Sequence, residues 1–247
     1  MSATTLKSVR VEDGTTFIGA TFLYLFFALL ITVVVEFTAG AIMNNVLGSG
    51  YLVNGDLDAA SQIFQTYIII LIASAISLIV FTIWIRLSLL KGGKGILIPF
   101  ILYSVAMGIL LSTFNLFLYW YEILAAFGIT TVVFGVMALI GYFGGEKVKW
   151  FGLIGLGLLV GAFIIGLTSL IWYWLAPSFY NVTYTLVAGL MLIAVLFISS
   201  FDIYNMKKIA ESGTGTPNLA MYCAFNLYVD FVYILIRILM LMMRNRR

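Results

Sequence analysis

Seven stretches of this chain are each long and apolar enough to cross a lipid bilayer, and that constrains the fold more than any other feature. They cover residues 16–37, 67–90, 96–118, 123–144, 150–175, 182–203 and 221–243. A spanning helix needs about 20 predominantly apolar residues. Of the 247 residues, 63% are hydrophobic and 9% charged, against about 25% charged in a soluble domain. One protein core cannot bury that much apolar surface, so the side chains must face lipid, and an all-α multi-pass membrane protein follows. Three prolines leave the helices little interrupted.

No soluble domain fits between the runs. The expected organisation is a cytoplasmic N-terminal segment (1–15), a seven-helix transmembrane domain (16–243) and a basic C-terminal tail (244–247). The first run is too long for a signal-peptide core, although Ala39-Gly40-Ala41 has the small-residue pattern of a cleavage site. The stretch from Asn44 to Asp58 reads as the longest loop. Gly92-Gly93, Gly144-Gly145, Pro177 and the polar segment 211–217 mark other breaks.

Orientation follows from lysine and arginine in the short loops. Lys91 and Lys94, Lys147 and Lys149, and Lys207 and Lys208 occupy the second, fourth and sixth loops; the other three carry only Asp56, Asp58 and Glu122. That alternation places the N-terminus and the even loops in the cytoplasm. The tail, with Arg244, Arg246 and Arg247, breaks the rule. Either the earlier spans set the topology or the last segment is re-entrant; its length favours seven full spans.

Ionisable residues within spans are costly and are functional candidates by default. Here they are Glu36, Arg86, Asp202, Asp230 and Arg237. Arg86 and Asp202 each lie five residues before a loop lysine, and Asp230 lies nine residues into the last span, so at ~1.5 Å per residue the three share a layer roughly 7–14 Å from the cytoplasmic boundary. Two aspartates meeting in a low dielectric cannot both ionise easily, and such a pair shares a proton. Loss of that proton leaves two like charges that push the helices apart, while Arg86 can hold one ionised carboxylate. The rival readings are bland: Asp202 and Arg86 snorkel to the interface, Asp230 is structural, and Glu36 is a solvated helix end. Tyr119-Trp120-Tyr121 and Trp172-Tyr173-Trp174 read as interface belts. Gly155, Gly157, Gly161 and Gly166 suggest close helix packing, Gly157 and Gly161 as a small-xxx-small pair.

At these residues the chain resembles the Bax inhibitor-1 (transmembrane Bax inhibitor motif) family, with its YccA-like and YetJ-like bacterial members. The resemblance rests on Ala126-Phe127 with Thr130 and Phe134 in the fourth span, Ser200-Phe201-Asp202-Ile203-Tyr204 ending the sixth, and Leu227-Tyr228-Val229-Asp230-Phe231-Val232 in the seventh. Arg86, in Phe81-Thr82-Ile83-Trp84-Ile85-Arg86, matches the family's second-helix arginine. The resemblance implies six helices around a central seventh. It implies that Asp202 and Asp230 form a pH-sensing pair closing a passage, with Arg86 as modulator. Bacterial relatives behave as pH-sensitive calcium-leak proteins, and eukaryotic relatives oppose cell death from internal membranes. The sequence departs at Met240, near the place of a common helix-seven arginine that here has a counterpart one turn earlier in Arg237, and at Ala75, where some relatives are acidic.

The expected function is therefore a pH-sensitive calcium-leak channel gated by Asp202 and Asp230. Calcium favours hard oxygen ligands, and Glu36, Glu122, Asp56 and Asp58 are candidates for drawing cations to the outer mouth. The alternatives are a non-conducting regulator of a protease or stress-response partner, and a proton-coupled transporter. An enzyme is not expected: there is no histidine or P-loop, and the single cysteine, Cys223, has no histidine partner. No cofactor or resident metal is expected, only calcium as cargo, and the partners are the bilayer, cations and other membrane proteins. A net charge of +3 does not read as a nucleic-acid surface. Compact length and the lack of eukaryotic sorting motifs favour a bacterial plasma membrane. Asn181-Val182-Thr183 fits a glycosylation pattern but lies beside a span.

Overall fold

The computed structural model describes residues 14–52, 57–90, 95–175 and 177–244. Among them lie α1 (Gly14–Leu52), α2 (Leu57–Leu90), α3 (Leu97–Leu111), α4 (Trp120–Phe143), α5 (Lys149–Leu175), α6 (Pro177–Glu211) and α7 (Pro217–Arg244). A 3₁₀ turn, Ser112–Leu116, extends α3, and another, Gly145–Val148, precedes α5. Among the described residues, seven segments are long and apolar enough to cross a membrane. The prolines obey the rule that a helix tolerates them in its first turn, where no N–H is needed: Pro177 and Pro217 open α6 and α7, and Pro99 is the third residue of α3. Gly145 and Gly213 take positive φ, 61° and 64°, just past the ends of α4 and α6, where glycine turns the chain without a Cβ clash.

The centre of the bundle is α7. It packs against α1, α2, α3, α4 and α6, whereas α5 is held chiefly through α6. Its buried residues include Ala220, Phe225, Leu227, Tyr228, Phe231, Ile234 and Leu239, which cover more than one face. The outer surface carries large apolar side chains such as Phe26, Ile69, Val132 and Leu153, all more than half exposed. In water such a surface would drive association; in lipid it is matched to its solvent.

Polar side chains turn inward. On α1 the buried positions are Phe17, Thr21, Leu25, Ala28, Thr32, Glu36, Gly40 and Met43, one stripe at helical spacing. Thr32 Oγ1 lies 2.6 Å from Tyr228 Oη and donates to the carbonyl oxygens of Ala28 and Ser104, tying α1 to α7 and α3. The stripe also corrects the loop boundaries. Most of the expected loop from Asn44 to Asp58 is helix: α1 runs on to Leu52 and α2 begins at Leu57. No proline interrupts the segment, and Gly40 and Met43 keep burying the same face, so nothing ends α1 at residue 37.

Helix α5 packs on α6 through glycines, but not the expected pair. A Cβ at Gly152 or Gly155 would strike Phe201 or Ile198 of α6, whereas Gly157 and Gly161 face open space.

Candidate functional site

Helices α6 and α7 run antiparallel, joined by the turn after Glu211. Asp230 lies thirteen residues into α7 and is 8% exposed in the middle of the bundle, and its Oδ2 has no hydrogen-bond partner among the described residues. The Ser199 hydroxyl of α6 faces the carboxyl, and Asp202 lies one turn further along α6. Cys223, half-buried, lies two turns before Asp230 on the same face of α7. The next residue, Phe231, packs on Phe127 and Phe134 of α4, with centroids 6.4 and 5.6 Å away. Adjacent, packed helices thus each carry a carboxyl group, Asp230 buried on α7 and Asp202 half-buried on α6.

The cation expected to join them does not. Arg86 is exposed on α2, whose neighbouring Ile85 turns inward instead, and among the described residues it forms no ion pair with either aspartate. Its place around the helix puts the guanidinium on the exposed side of α2, opposite in character to the buried Ile85 and Ser88.

Glu36 is also corrected. It is not a solvated helix end at an outer mouth: it is fully buried. Because α1 continues for four more turns, Glu36 sits inside the stripe that faces the bundle. Its Oε1 accepts from Asn115 Nδ2 at 2.7 Å, and its Oε2 has no hydrogen-bond partner among the described residues. Gly40, one turn on, leaves the space that Asn115 fills, since a Cβ there would overlap the amide. Glu122 accepts from the backbone N–H of Tyr119 at 2.8 Å, as a cap on the first turn of α4. Asp56 lies outside the described residues, and Asp58 stands in the first turn of α2. No group of three or more acidic or cysteine side chains gathers among the described residues.

Sequence reasoning missed two features. One is the Glu36–Asn115 contact, which was open to discovery because Glu36 keeps helical phase with Thr21 and Thr32. The other lies at the end of the bundle holding the lysine-bearing turns. There Glu146 takes salt bridges from Lys149 and Lys208, the latter at 2.9 Å, and a hydrogen bond from Tyr204 Oη at 2.9 Å. Lys207 donates to the Tyr142 carbonyl oxygen at 2.9 Å. Hydrogen bonds from Lys149 and Lys208 hold the exposed Glu146 carboxyl down to about 2. This clasp fixes the α4–α5 turn to α6 two turns from Asp202, and it stays ionised throughout the neutral range.

Residues 14–247 match the family model described as inhibitor of apoptosis-promoting Bax1. The chain belongs to the Bax inhibitor-1 family. The match covers all seven helices of this Bax inhibitor-1 protein, and the aspartates of the family-like strings stand on α6 and α7. Over 155 residues, 60% of its length, the chain is 30% identical to inner membrane protein YbhL of Escherichia coli (strain K12), and equally to YbhL of Escherichia coli O6:H1. The alignment spans 62% of those relatives. No solved structure matches. A multi-pass integral membrane protein of the Bax inhibitor-1 family is thus the identity that sequence and fold share.

Proposed function

We propose that this chain is a pH-sensitive cation leak, with calcium as the leading cargo, in which Asp202 and Asp230 form the gate. The observation that carries this reading is Asp230: a carboxyl buried in the central helix, on the element packed against the α6 that carries Asp202, with one oxygen unpartnered and no ion pair to either aspartate among the described residues. Two carboxylates brought into contact inside a bundle of low dielectric repel each other. One shared proton removes that repulsion and draws α6 to α7; its loss favours separation of the two helices. Because α7 touches most of its neighbours, a displacement there opens several interfaces at once. Arg86 has no part in the closed pair and becomes available only if α2 rotates. In this reading the N-terminus and the Glu146 clasp face the cytoplasm, by the lysine bias of the even loops.

The test is calcium flux in proteoliposomes of purified protein across about pH 5 to 8. The wild-type leak is expected to rise with pH as the pair loses its proton. Asp202→Asn and Asp230→Asn are each expected to give a pH-independent flux. Persistence of the wild-type profile in both variants would refute the gate. Absence of flux at every pH, with a protein partner retained on purification, would instead support a non-conducting regulator.

A further inference from the structure

Near the far end of α7 from the lysine-bearing turns, a groove of about 800 Å³ opens between the C-terminal half of α7 and the N-terminal half of α6. Its walls include Ala188, Gly189 and Leu192 of α6 and Met240, Leu241 and Met243 of α7. Two arginines also line it, Arg237 and Arg244, seven residues apart on α7 and hence about 10 Å apart along it on the same face. Arg237 Nη2 donates to Tyr233 Oη at 2.7 Å and to Met191 Sδ at 2.9 Å, and its guanidinium stands 5.0 Å from the Tyr233 ring centroid. Arg244 Nη1 donates to Thr185 Oγ1 at 2.6 Å. Every one of these partners is neutral. Among the described residues no carboxylate pairs with either arginine.

A guanidinium within a spanning helix is costly unless an anion or water compensates it, and here the protein supplies the donors without the anion. The walls are apolar enough to hold a hydrocarbon chain, and the charged pair lies near the end of the helix, where a headgroup would stand. The geometry points to a binding site for one anionic phospholipid, its phosphate diester held by Arg244 and reached from below by Arg237, with an acyl chain along Gly189 and Leu192. Arginine suits this ligand because its planar fork of donors matches phosphate oxygens. The site also accounts for a basic end of α7 on the side of the membrane where the loop lysines are absent: that charge is matched by lipid.

The experiment uses the full-length protein in mild detergent, supplied with phosphatidylglycerol or phosphatidylcholine at equal loading, with retained lipid read by native mass spectrometry. Wild type should retain phosphatidylglycerol roughly tenfold more than phosphatidylcholine, and Arg237→Gln with Arg244→Gln should abolish that preference. Two milder variants guard against misfolding of the double one. Arg244→Gln alone, at an exposed helix end, should weaken retention several-fold. Gly189→Leu, where a Cβ meets nothing within 4 Å, should fill the groove and reduce retention of phosphatidylglycerol with both arginines intact. Inorganic phosphate at millimolar concentration should not displace the lipid. Equal retention of the two lipids, displacement by inorganic phosphate, or undiminished phosphatidylglycerol on both Arg244→Gln and Gly189→Leu would overturn the site.

Discussion

Gly141→Ala should be the most damaging single methyl group in the α4–α6 interface. A Cβ at Gly141 would stand 3.0 Å from Ile203 Cβ and would overlap the Ser200 carbonyl oxygen. Carbon atoms in ordinary contact are about 3.5–4.0 Å apart, so α4 and α6 must separate by somewhat less than about 1 Å. The obstacle is backbone and a β-branched Cβ, neither of which can swing aside, which puts the cost near the upper end of the ~1–3 kcal/mol for overpacking. Alanine returns up to about 1 kcal/mol of helix propensity. The net loss is about 2 kcal/mol, and at about 2–4 °C per kcal/mol for a chain of this size the midpoint should fall by about 4–8 °C. Gly157→Ala is the matched control, because its Cβ would meet nothing within 4 Å; its midpoint should be unchanged or slightly raised. Both can be followed in detergent by alkylation of the single cysteine, Cys223, during heating. A Gly141→Ala midpoint equal to or above that of Gly157→Ala would show that the α4–α6 approach is not as close as described.

Two other outcomes follow from buried and exposed carboxylates. Glu36→Gln keeps an acceptor for Asn115 and should shift the unfolding midpoint little, while Glu36→Ala takes the main acceptor from the half-buried Asn115 amide and should cost about 1 kcal/mol in the same assay. For Glu146 the sign is set by a folded-state value depressed to about 2: its clasp contributes fully above the ordinary carboxylate range, near pH 4.5, and is lost as pH falls from there towards about 2. Between about pH 5 and 8 it therefore does not titrate, so Glu146→Gln should leave the pH profile of any leak unshifted, although the amplitude can change. A profile displaced along the pH axis would place part of the sensing in the clasp.

The sequence determined what apolar content alone can decide. With 63% hydrophobic residues in seven long runs, bilayer insertion and the helix count follow, because lipid leaves no backbone group unpaired and permits few alternatives. The breaks at Gly144-Gly145, at Pro177 and within 211–217 were equally legible, since glycine and proline act through their own backbone, but α6 and α7 begin at Pro177 and Pro217 themselves and not at the expected 182 and 221. What only the tertiary structure decided was direction around each helix. Axial depth placed Arg86 level with Asp202 and Asp230, but its side chain stands on the exposed side of α2. The extent of α1 beyond residue 37 likewise turned a solvated end into the buried Glu36. Gly157 and Gly161 match a packing motif yet face open space, while Gly152 and Gly155 carry the contact. A run of apolar residues has almost the same hydropathy on every side, so in lipid the phase of a helix is set by close packing and by a few polar side chains, and these find their partners only when the bundle assembles.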